Sequence, residues 1–71
     1  MKKYYIVGET FEGGQFLINE DLSTEDNLIE NIEHYGNLFG DREYAKDILN
    51  QYKEDFDTDW CNKYYIEEIE L

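Results

Sequence analysis

The sequence predicts a small α+β domain of order β-β-α-α-β, a three-stranded sheet with two helices packed on one face. Three observations predict it. Aromatic and β-branched runs lie near both ends, at residues 3–11 and 63–71. Glu12-Gly13-Gly14 breaks the first run from a second one at residues 15–19. Between residues 28 and 56 apolar side chains recur at the three- and four-residue spacing of a helix. With 71 residues the chain is one domain. A fold of this size buries only about 60% of its extended-chain surface, so its stability margin is narrow.

Each element has its own signal. In residues 3–11 (KYYIVGETF) Tyr4 and Ile6 alternate with Tyr5 and Val7, so both faces are apolar and a central strand is expected. Glycines at 13 and 14 take positive φ without steric cost, and QFLIN at 15–19 returns with Phe16 and Ile18 on one face and Leu17 on the other. Ser23 reads as the N-cap of a first helix, with Glu25 and Asp26 near the positive end of its dipole. Leu28, Ile29, Ile32 and Tyr35 then form one arc, and Gly36 is a natural stop. Asp41 is placed to cap a second helix at residues 42–57, the clearest element in the chain. Tyr44, Ala45, Ile48, Leu49, Tyr52 and Phe56 form its apolar face, Glu43, Asp47, Asn50, Glu54 and Asp57 the opposite stripe, and Arg42, Lys46 and Lys53 one flank.

The last run, KYYIEEIEL at 63–71, reads as a strand with Tyr65, Ile69 and Leu71 on one face and Glu68 and Glu70 on the other. KYYI occurs at both 3–6 and 63–66, which suits two strands paired in one sheet. If every element reverses direction, the last strand runs parallel to the first and lies beside it, in strand order 2-1-3.

Composition sets the functional bounds. Eighteen Asp or Glu against six Lys or Arg give a net charge of −12, spread evenly, with each half of the chain at −6. Twelve aromatics, thirteen Ile or Leu and no Pro argue for a folded domain rather than a disordered acidic tail. Direct binding to nucleic acid is not expected, because phosphate contacts need clustered cations. No apolar run approaches the ~20 residues of a membrane span. After Met1-Lys2-Lys3 only Tyr4 to Val7 precede Gly8, too short for a secretory signal. The lone Cys61 cannot form an internal disulfide and suits a reducing, cytoplasmic compartment; it reads as a small, partly buried hydrophobe.

No catalytic motif stands out. Ser23, His34 and Cys61 each stand alone, and Gly13-Gly14 lacks the spacing and following Lys-Ser/Thr of a phosphate loop. Asp55-Phe56-Asp57-Thr58-Asp59 opens like a calcium loop, but Trp60 stands where the turn needs glycine and Ile66 where a bidentate Glu is needed. The expectation is therefore a non-enzymatic protein with no cofactor and no specific metal site.

Such a charge costs stability through self-repulsion, so it invites a functional reading beside the plain one of solubility. Carboxylates three and four residues apart on a helix advance about 5–6 Å, of the order of the spacing between strand phosphates. Asp26, Glu30 and Glu33 on the first helix, and Glu43, Asp47, Glu54 and Asp57 on the second, make two such rows on helices expected side by side. In size, acidity, mixed α/β pattern and lack of a catalytic motif, the chain resembles the small phage-type DNA-mimic inhibitors, the anti-CRISPR and anti-restriction class. This likeness is one of composition, and no motif carries it. It implies an inhibitor in the host cytoplasm whose partner is a basic nucleic-acid-binding protein, such as a bacterial defence nuclease complex, with those seven acids as the contact. The alternative is an accessory interaction module that binds through an apolar patch at Tyr4, Trp60 and Tyr64.

Overall fold

The computed structural model describes residues 1–26, 38–56 and 61–71. Their order is β1 (Lys2–Thr10), β2 (Gln15–Ile18), β3 (Thr24–Asp26), α1 (Arg42–Asp55) and β4 (Cys61–Glu70). The strands form one antiparallel sheet in the order β3-β2-β1-β4. The class is α+β, but the expected three strands and two helices are replaced by four strands and, among the described residues, one helix.

β1 is central, as its two apolar faces predict. Ile6 faces Ile18 on one side and Ile66 on the other. Side chains from alternate positions divide into two clusters. On the face that carries α1, Ile6, Phe16 and Ile18 pack with Phe39, Ala45, Leu49, Tyr52 and Cys61. On the opposite face Val7 and Leu17 are buried, with Tyr5, Leu38, Tyr65 and Ile69 against them. The β1–β2 connection closes at Thr10 and Gly14: Thr10 N–H donates to the Gly14 carbonyl, Gly14 N–H to Thr10 Oγ1, and Gly13 has φ +89°. Beyond the end of β2, Phe39 takes over pairing with β1 through two backbone hydrogen bonds to Tyr4, each 2.8 Å.

The first helix fails at its start. Ser23 does not cap a helix; its N–H and its hydroxyl both donate to Asp21 Oδ1. Asn19 N–H donates to the Ser23 carbonyl and Leu22 N–H to that of Asn19, closing a reversal with Leu22 at φ +71°. An aspartate that bonds the backbone two residues on offers an alternative to a helix start. Thr24, Glu25 and Asp26 then pair with Ile18, Leu17 and Phe16. The remainder of that expected helix, residues 27–35, lies outside the described residues.

β4 does lie beside β1, but antiparallel rather than parallel, with Lys2 opposite Glu70 and Lys63 opposite Glu9. The register slips once, between Glu9 and Thr10, where Asn62 is the additional residue on β4. Close by, Cys61 is buried in the core, as a small hydrophobe would be, and its thiol donates to the Glu9 carbonyl at 3.1 Å.

α1 follows its pattern most closely. Asp41, extended at φ −136°, accepts the Glu43 N–H at 3.0 Å and caps the helix; Phe56 ends it, with its N–H on the Tyr52 carbonyl. Ala45, Leu49 and Tyr52 are buried and Ile48 partly so. Tyr44 and Phe56, expected on the same face, are about half exposed, held by ring contacts to Phe39 at 5.8 Å and Tyr52 at 4.9 Å. No helix among the described residues is long and apolar enough to cross a membrane.

Candidate functional site: the charged faces of the helix

α1 carries four acids and three bases within fourteen residues, and helix geometry separates them. At 100° per residue Glu43, Asp47 and Glu54 fall within about 40° of one another, on the side away from Ala45 and Tyr52. All three are exposed, and Asn50, between them in the same row, is exposed too. Their positions along the axis are about 6 Å and about 10.5 Å apart. This row is anchored beneath by Leu49 and Tyr52, so its spacing is held by a packed helix rather than by a loop.

The other expected row does not exist as such. Asp26 is the last residue of β3, opposite Phe16, at the edge of the sheet away from β4. It is on a strand, so it shares no helical face with Glu30 and Glu33, which lie outside the described residues, as does Asp57. The structure thus brings three of the seven expected contact residues together.

Three further acids share β4, where Glu67, Glu68 and Glu70 are exposed. Lys2 lies 3.8 Å from Glu68, and Lys63 lies 3.7 Å from Glu9, both loose surface pairs. Glu20 accepts the Tyr44 hydroxyl at 2.7 Å, joining the β2–β3 turn to α1; that bond holds the Tyr44 pKa above its usual value. Asp21 is held below the usual carboxylate range by its bonds from Ser23. Tyr65 accepts a bond from Gln15 Nε2 at 3.1 Å, and burial is the main cause that raises its pKa.

Of the alternative apolar patch, Tyr4 and Tyr64 are partly buried. Tyr64 packs edge-on against Phe16 and Tyr52, with Lys53 Nζ 5.3 Å from its ring centre. Tyr4 lies under the Arg42 guanidinium at 6.0 Å. Trp60 is outside the described residues. Among the described residues no three His, Cys, Asp or Glu side chains converge as metal ligands. Of the calcium-like run, Asp55 accepts a bond from Gln51 Nε2, and Asp57 and Asp59 lie outside the described residues. Comparison with known proteins finds no matching family model, curated protein or solved structure.

Proposed function

We propose that this chain is a non-enzymatic acidic inhibitor that occupies the nucleic-acid site of a basic protein, in the manner of phage-type DNA mimics acting on bacterial defence nucleases. One observation carries the reading: Glu43, Asp47 and Glu54 form an exposed row on a helix anchored by its buried face. Their steps of about 6 Å and about 10.5 Å lie near two and three times the ~3.4 Å axial rise per strand phosphate. A rigid row loses little entropy on binding, which favours a charged contact over the same acids in a loop. The net charge of −12 adds long-range attraction toward a cationic groove.

The test uses the chain immobilised and exposed to bacterial proteins eluted from a heparin column. Retained protein should be displaced by added DNA or RNA and by salt. Glu43→Gln, Asp47→Asn and Glu54→Gln together keep the shape and remove three charges. Exposed contacts are worth about 0.2–1 kcal/mol each, so affinity should fall roughly 3- to 150-fold. Retention that survives both nucleic acid and the triple variant overturns the reading.

A further inference from the structure

On the flank of α1 beside the acidic row stand Arg42, Lys46 and Lys53, half of the six bases in the chain. They overlook a cleft of about 400 Å³ between α1 and β4, with Leu49, Tyr65 and Ile66 also in its lining. In a chain with three acids per base, none of these three cations forms an ion pair among the described residues. Arg42 and Lys53 lie instead over the rings of Tyr4 and Tyr64. Among the described residues Glu43 is the one carboxylate in the cleft lining. Beside the cleft runs β4, ten residues long and, among the described residues, outermost in the sheet, so one edge of its backbone faces away from β1. An edge strand of that length is a template for another strand.

We propose that this cleft is the docking site of an extended acidic segment of a partner protein, added to the sheet as a strand alongside β4. The backbone of the segment would pair with the outer edge of β4 near Tyr65 and Ile66. Carboxylates at alternate positions would rise toward the basic flank. Alternate residues of a strand are ~6.8 Å apart, close to the ~6 Å axial step from Arg42 to Lys46. Main-chain bonds supply affinity in such strand addition, and the side chains that meet the flank supply specificity. A second copy of this chain is the poorer occupant. Pairing β4 with its own two-fold mate would set two α1 flanks face to face, six cations together, and would join two bodies of charge −12.

The experiment is a titration of the full chain with a nine-residue peptide of alternating Glu and Val, capped at both ends, followed by amide NMR shifts. A Lys-Val peptide of equal length is the control. Expected are shifts centred on Lys63 to Glu67 of β4 and on the facing flank of α1, with no comparable binding of the control. Lys46→Gln with Lys53→Gln should weaken the Glu-Val peptide by about tenfold while the dispersed amide spectrum shows that the fold is kept. Lys2→Gln, which removes a cation outside the cleft, should leave binding unchanged. Shifts mapping elsewhere, equal binding of the Lys-Val peptide, or indifference to the double variant would overturn the proposal. So would sedimentation showing a dimer with β4 amides protected at the interface, which would give the edge to a second copy. The lysines tested are not in the acidic row, so this result stands or falls separately from nucleic-acid mimicry.

Discussion

Gly8→Ala should be the most damaging single-methyl change in the sheet. Gly8 stands opposite Phe16 in the β1–β2 ladder, and the Phe16 ring lies over it. A Cβ built on Gly8 would sit on that ring, nearest Cζ and Cε1, and 2.8 Å from Cε2. Phe16 is buried and cannot swing away freely, since its ring meets Tyr52 at 6.5 Å and Tyr64 at 6.2 Å. Aromatic cover of a strand glycine is a recognised packing device, and here it leaves no room for a methyl group. Overpacking costs about 1–3 kcal/mol, and the crowding here points to the upper part of that range. A 71-residue domain has roughly 4–10 kcal/mol of total stability. At ~4–8 °C per kcal/mol for a domain this small, Tm should fall by about 10–20 °C. The assay is thermal and urea unfolding of Gly8→Ala, Phe16→Leu and the double variant. Phe16→Leu alone should cost on the order of 1–2 kcal/mol. The smaller side chain should accommodate the new methyl, so the double variant should be more stable than the summed costs by at least ~1 kcal/mol. Strict additivity, or a Gly8→Ala protein that melts with the parent, would refute the packing argument.

Asp41→Ala removes the side-chain acceptor of the Glu43 N–H and should cost about 1 kcal/mol; Asp41→Asn should restore most of it, as denaturant midpoints will show. At alkaline pH the tyrosines govern stability. Tyr5, Tyr52 and Tyr65 have pKa values raised above 10.0, chiefly by burial, so their contribution is complete below pH 10.0 and is lost as pH rises through the raised values. Phenolate absorbance should show a late-titrating subset of tyrosines whose ionisation tracks unfolding; simultaneous titration of all seven in a still-folded chain would contradict this.

Much of the local structure was legible in the sequence because side-chain period is a property of the backbone itself. The alternation in β1, the split of Phe16 and Ile18 from Leu17, the Gly13 turn and the Asp41 cap were each readable within a few residues and each hold. Glu43, Asp47 and Glu54 share a face for the same reason: a helix of known register places them there without reference to the rest of the chain. The Ser23 signal misled because two local uses compete for one hydroxyl. A cap and an Asx-type turn need the same kind of residue, and only the open edge of β2 tips the balance toward the turn. β3 itself, Thr-Glu-Asp, has no apolar pattern to announce it; it is a strand because Phe16, Leu17 and Ile18 present backbone groups to be paired.

The sequence by itself therefore determined the α+β class, the central strand, the Asp41-capped helix, and the separation of its acidic row from its basic flank, while its count of two helices and three strands did not hold. Tertiary structure decided the direction of β4, the loss of Asp26 from any helical row, and the covering of Tyr4 and Tyr64 by Arg42 and Lys53. It also decided that the basic flank overlooks a strand edge, since that depends on β4 lying outermost beside β1. Period and capping are set by bonds within one turn or one strand, whereas strand order and direction are set by which distant backbone groups find partners, a competition that no short window of sequence contains.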